Sequence, residues 1–137
     1  MRKIRFRGKR KDTGEWVFGD FEYNHSKNIA RIHTYDEDGN YERQYEVNHE
    51  SVGQFTGLSD KNGREIYEGD IVKFYVLDDT VGEVWKEYTS EVSFCNGCFC
   101  TYSTPLINGK WKGYDMVNVE IIGNIYDSPE LLKGGAE

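Results

Sequence analysis

The sequence predicts an all-β barrel or roll, and three observations carry that prediction. Fifteen Gly stand against two Pro in 137 residues. About ten short segments alternate apolar with polar residues or run apolar between turn signals, as strands do. Only one good helix start occurs, near the C-terminus. Aromatic residues reach 15%, which sets the chain apart from disordered sequences. At this length the chain can bury a core. No apolar run approaches the roughly 18 residues a membrane span needs, and no apolar stretch follows the basic Arg2-Lys3-Ile4-Arg5 to make a secretory signal. The expectation is a soluble, cytoplasmic protein.

Lys3-Ile4-Arg5-Phe6-Arg7 alternates charge and apolarity, so it reads as a first strand with Lys3, Arg5 and Arg7 on one face. Lys11-Asp12-Thr13-Gly14 is a turn into a second strand, Glu15–Tyr23, the hairpin partner of the first. Ile29–Tyr35 and Tyr41–Val47 flank an acidic turn, Asp36-Glu37-Asp38-Gly39-Asn40. That turn faintly resembles a calcium loop, but it is too short and lacks the closing Glu.

Val52–Leu58 is extended, and Ser59–Gly63 turns back to Arg64–Tyr67. Gly69-Asp70 then leads into Ile71–Val76, a step common in small SH3-like barrels, where Gly relieves a sharp bend. Residues 83–94 and 98–104 pair across Asn96-Gly97, the strongest two-residue hairpin signal. Asn108-Gly109 offers another turn. Val117–Tyr126 is a strand whose Gly123 suggests a bulge. Asp127 or Ser128 caps a single helical turn at Pro129–Leu132, stopped by Gly134-Gly135.

Charge is uneven. Residues 1–11 hold seven of the 17 basic residues and no acid, so residues 12–137 carry ten bases against 24 acids, a balance of −14. The acidic body argues against broad nucleic-acid binding. The basic arm either pairs with acidic surface of the protein itself or meets an anionic partner. In the second case Lys3, Arg5, Arg7, Lys9, Arg10 and Lys11 would hold phosphates, and rings such as Trp16 would stack bases. Trp16, Phe18, Tyr23, Tyr75, Trp85, Tyr88 and Trp111 are many large rings for one small core. They read as core plus subunit interface, or as stacking platforms.

Cys95, Cys98 and Cys100 cluster around the Asn-Gly turn. An odd count without an export signal suggests reduced thiols. Under the turn reading Cys95 faces Cys98, with Ser93, Cys95, Cys98 and Cys100 on one face and Val92, Phe94 and Phe99 on the other. A zinc knuckle would need a fourth ligand, and His25, His33 and His49 lie far upstream without motif spacing. His33 sits in an alternating strand and suits an ordinary surface or half-buried role. Asp60, Asp70, Asp78 and Asp79 could form a metal cluster for nucleic-acid hydrolysis. Asp60 and Asp70 read more simply as turn residues, and Asp78-Asp79 as a solvated loop. No P-loop, GxGxxG or nucleophile elbow is present. No cofactor, metal or catalytic residue is expected.

Three stretches resemble a known family. Ile4–Arg10 runs into Thr13–Asp20; Val52–Val72 includes Gly57-Leu58-Ser59-Asp60-Lys61-Asn62-Gly63 and Tyr67-Glu68-Gly69-Asp70; Glu120–Leu132 ends Asp127-Ser128-Pro129-Glu130-Leu131-Leu132. Together they resemble the YopX family of phage and prophage proteins. Residues 24–50 and 76–114 match weakly, and the cysteines fall in the second of these. The resemblance implies a small β fold with an SH3-like barrel or roll, a phage or prophage origin and oligomerisation. It supplies no catalytic residue.

The reading is therefore an N-terminal β lobe over 1–50, an SH3-like barrel over 51–133 closed by the strand at 117–126, and a flexible tail at 134–137. Trp16, Phe18, Tyr67, Ile71, Ile121 and Ile125 would be core or interface. The chain would be a non-enzymatic accessory protein of the bacterial host cytoplasm, a homo-oligomer binding a phage or host protein. The alternative is a nucleic-acid module using Lys3, Arg5, Arg7, Lys9, Arg10 and Trp16.

Overall fold

A computed structural model describes residues 2–78, 82–95, 97–101, 104–105, 110–111, 114–115 and 117–132. The chain divides into two compact units, Met1–Gly57 and Leu58–Glu137. The division falls inside a strand, later than the lobe boundary at 50/51 read from the sequence. Residues 134–137, expected as a tail, and the Asn108-Gly109 turn lie outside the described residues.

The first unit is an antiparallel sheet. Its strands are β1 (Phe6–Lys9), β2 (Trp16–Asn24), β3 (Ile29–Tyr35), β4 (Tyr41–Val47) and β5 (Gly53–Ser59), in the order β4-β3-β2-β1-β5. A 3-10 turn, His49–Ser51, leads into β5. β3 and β4 coincide with the segments that flank the acidic turn. β1 does not. It begins at Phe6 rather than Lys3 because its ladder starts where Phe6 pairs with Gly19 and Gln54. Ala30, Ile32 and Val47 form the core of the unit, with Phe6, Val17, Phe21, Tyr23 and Val52 packed on them. Gly19 is obligatory. A Cβ there would lie 1.9 Å from the His33 carbonyl oxygen, a backbone atom that cannot yield.

In the second unit β6 (Glu65–Tyr67) turns back beside the end of β5 across a turn closed by Asp60 N–H donating to the Arg64 carbonyl at 2.8 Å. β7 (Asp70–Asp78), β8 (Val84–Cys95), β9 (Cys98–Thr101), β10 (Thr104–Pro105) and β13 (Val117–Asn124) form a sheet in the order β10-β9-β8-β7-β13. β11 (Lys110–Trp111) pairs with β12 (Tyr114–Asp115). Val72, Phe74 and Val76 alternate along β7 and bury one face with Ile66 and Val92. Phe74 stacks on Tyr88 with centroids 5.8 Å apart.

The all-β class holds, but the barrel does not. β13 pairs with β7 and β10 with β9, so among the described residues the sheet ends in two edges and never closes. The strand at 117–124 is an edge strand, not a closing one. Local alternation reads the same in an open and a closed sheet, because closure depends on which distant strands meet. Gly123 does mark a register shift in β13, and Pro129–Leu132 does form a 3-10 turn.

Tyr67 and Ile71 are buried as expected, whereas Phe18 is exposed and Trp16, Ile121 and Ile125 are half-buried.

Candidate functional site

The candidate site is the outer face of the first unit, where the basic arm lies. β1 is an inner strand between β2 and β5, so its side chains meet rings from both neighbours. Arg7 pairs with Phe18 and Lys9 with Trp16 across the β1–β2 ladder. Period-2 alternation then keeps Arg7, Lys9, Trp16 and Phe18 on one face. The Arg7 guanidinium lies 4.6 Å over the Trp16 ring, and Lys9 approaches the same ring at 5.7 Å. Arg5 sits 5.4 Å from the Phe18 ring and Lys3 5.8 Å from Phe55. Each cation is thus held against a ring quadrupole, which is worth most where water is excluded. Arg7 is only 7% exposed.

Arg10 and Lys11 leave this row. Arg10 donates two hydrogen bonds to Asp12 at 2.9 and 2.7 Å and lies 4.3 Å over Tyr45. The Arg10 hydrogen bond holds the Asp12 carboxyl below its ordinary value. Lys11 pairs with Glu46 at 3.0 Å. These two residues are neutralised by the chain's own acids, one of the two alternatives the charge pattern left open.

Beside the row lies a cleft of about 430 Å³ lined by Lys3, Arg5, Phe18, Asp20, Tyr35 and Glu37, among others. Tyr35 donates to Asp20 at 3.0 Å, and that hydrogen bond raises the pKa of the phenol. The Asp36 carboxylate accepts N–H groups from Asp38 and Asn40, so the acidic turn spends that oxygen on its own backbone. The cleft therefore carries both signs of charge.

The structure brings together Arg7, Lys9 and Trp16, places Lys3 and Arg5 next along the row, and removes Arg10. Phe55, Phe18 and Tyr45 as ring partners, and Asp20 as an acid in the cleft, were not singled out as contacts from sequence. The signal for Phe18 was present: the Lys11–Gly14 turn sets a register that puts Arg7 opposite it. Phe55 and Tyr45 come from segments paired at long range.

His33 is half-buried, as expected. Its Nε2 lies 2.7 Å from Glu22 and its Nδ1 3.2 Å from the Tyr41 hydroxyl. Among the described residues no group of three or more His, Cys, Asp or Glu could hold a metal ion. Asp60 and Asp70 are turn residues: Asp60 accepts from Asn62 and Arg64 N–H, and Asp70 from Tyr67 N–H. Asp79 and the side chain of Asp78 lie outside the described residues. Cys95 pairs with Cys98 and Ser93 with Cys100, as the turn predicts, although Asn96 itself is not described. The expectation of reduced thiols is met at Cys98, which forms no disulfide, and fails at Cys100, which is disulfide-bonded. No helix among the described residues is long and apolar enough to cross a membrane.

A family profile described as "YopX protein" matches residues 5–133, nearly the whole chain. The chain belongs to the YopX family. The YopX match takes in Arg5, Arg7, Lys9, Arg10 and Trp16, while Lys3 precedes it. The crystal structure of protein EF1440 from Enterococcus faecalis is similar in fold, with a TM-score of 0.55 at 24% identity. That alignment covers 96% of this chain and 99% of the other. At that identity the likeness speaks for the architecture alone. No curated protein matches the chain.

Proposed function

We propose that this YopX protein is a non-enzymatic β module of phage or prophage origin that self-associates and binds a protein partner in the host cytoplasm. The observation that carries this reading is the mixed-charge cleft of the first unit. Phe18 and Tyr35 stay exposed at its wall, with Lys3 and Arg5 set against Asp20 and Glu37. Exposed rings beside both signs of charge suit a protein surface, which offers the same mixture, better than a uniformly anionic backbone. The test is light scattering at tens of micromolar. A mass above that of one chain, reduced to it in a Phe18→Ser, Tyr35→Ser variant, is the expected result. A monomeric wild type overturns self-association.

The second reading is nucleic-acid binding along Lys3, Arg5, Arg7, Lys9, Arg10 and Trp16. The row of cations favours it. Two features oppose it: Arg7 and Lys9 already occupy Trp16, and Arg10 is spent on Asp12. A ring face covered by a guanidinium has no room for a base. A titration with oligonucleotides at low salt tests this reading. Binding that weakens steeply with salt and is lost in Arg5→Glu supports it; a flat titration removes it.

A further inference from the structure

We infer that the second unit carries a binding site for a single nucleobase in the cleft lined by Lys61, Tyr75, Trp85, Val117 and Asn118. The cleft has a volume of about 390 Å³, within the range of small-ligand sites. It lies on the face of the sheet opposite the core. Tyr75 pairs with Glu87 and with Val117, and Trp85 with Leu77, so the pleat puts Tyr75, Trp85, Val117 and Leu77 on one side.

Trp85 is 55% exposed. Unlike Trp16, it has no cation over it among the contacts described. A large ring left in water is the part of a stacking site that a planar ligand completes. The second wall is pre-set: the Tyr75 hydroxyl donates to Glu87 at 2.9 Å, which fixes the phenol ring.

The polar edge comes from Asn118 and Lys61. Asn118 adopts a left-handed backbone at φ +54 within the β13 register shift between Val117 and Glu120. Bulges re-aim side chains, and non-glycine residues at such φ gather at functional sites. Lys61 is held from both ends. Its N–H donates to the Val119 carbonyl at 2.8 Å, and its ammonium lies 3.4 Å from Glu120.

The turn beneath Lys61 is anchored by Asp60, whose carboxylate is fully buried. One oxygen accepts the N–H groups of Asn62 and Arg64, both at 2.9 Å. The other accepts Ile121 N–H at 3.0 Å and the Arg64 guanidinium at 3.2 Å. The guanidinium also donates to the Ile121 carbonyl at 2.6 Å. The cleft therefore needs little reorganisation to bind.

The polar edge decides the ligand. An amide that both donates and accepts, lining the same cleft as an ammonium, matches the edge of a heteroaromatic ring and is wasted on a phenyl group. Lys73 shares Glu120 with Lys61 at 3.9 Å, and Glu87 stands at the other wall. With two lysines and two glutamates the local charge is near zero, so the base, rather than its phosphate, supplies the affinity.

Saturation-transfer NMR on the full chain tests this with adenosine, guanosine, cytidine and uridine. Their 5′-monophosphates and a short single-stranded oligonucleotide separate a free nucleoside from a base within a strand as the source. At least one nucleoside should saturate in the millimolar range or below, and its monophosphate should bind within about threefold of it. Trp85→Ala should weaken binding about tenfold, in line with one lost stacking partner. Asn118→Gly suits the left-handed backbone and should keep binding while reducing discrimination among bases. Saturation by no nucleoside overturns the site. So does wild-type binding in Trp85→Ala, or equal binding of N-acetylphenylalanine amide. Binding lost in Arg5→Glu but kept in Trp85→Ala would return the activity to the first unit.

Discussion

The two units use the same kinds of side chain in opposite ways. In the first, cations cover the rings: Arg7 and Lys9 on Trp16, Arg5 on Phe18, Lys3 on Phe55. In the second, the buried charges are carboxylates, Asp60 satisfied by backbone N–H groups and Arg64, and Asp70 accepting Tyr67 N–H, while Trp85 stands open. Trp16, capped by the buried Arg7, is committed to structure, whereas an open ring beside polar side chains is available to a ligand. The basic arm, conspicuous in the sequence, is therefore largely consumed by its own unit. The less conspicuous Trp85 is the better stacking platform.

The comparison can be broken most sharply at its supports. Gly19→Ala should cost on the order of 3 kcal/mol or more, since β2 and β3 must separate to free the His33 carbonyl. Urea unfolding measures it, and a loss under about 1 kcal/mol would mean the strands can slide. Asp60→Ala should cost about 3 kcal/mol by leaving three backbone donors without their acceptor. It should also weaken nucleoside binding, by less than the loss of Trp85 does, because Lys61 loses its anchor.

The same carboxylate sets an acid limit. Burial pushes the Asp60 pKa up, but N–H groups from Ile121, Arg64 and Asn62, with the Arg64 charge, outweigh it and hold the pKa below 3.8, its ordinary value. Its stabilisation is fully present above that unfolded value and lost as pH falls through the lower folded one. Asp60→Asn should therefore flatten the stability profile below about pH 4. An unchanged profile would assign acid sensitivity elsewhere.

Arg7→Met should cost about 1 to 2 kcal/mol, since the stem's packing survives but the contact with Trp16 does not. A gain in stability would show that burying this cation is a net cost. The smallest effect belongs to Glu91. Burial raises its pKa first and the Glu68 charge adds to it, so Glu91→Gln should stabilise the neutral-pH protein by less than about 1 kcal/mol. That gain should vanish as pH falls through the raised pKa of the folded state, where Glu91 is already neutral.

Much of this architecture was legible before any coordinates. β3 and β4 follow as the two arms of a hairpin around the acidic turn, whose Asp36 bonds its own backbone. The cysteine hairpin follows from Asn-Gly, and the β13 shift from Gly123. These are short-range facts, settled by side-chain period and turn chemistry among near neighbours. What tertiary structure alone decided lies in pairings between distant segments. Asp60 reaches Ile121 across 61 residues, Phe55 meets Lys3, and the strand at 117–124 joins β7 without closing a barrel. Period and composition are blind to these, because a strand's pattern says which face is buried and not which strand will lie beside it. Trp16 and Trp85 look alike in sequence, and both lie in local hairpins, opposite Lys9 and Leu77. Only the packing of side chains in the folded sheets determined that one is covered by arginine and the other stands open.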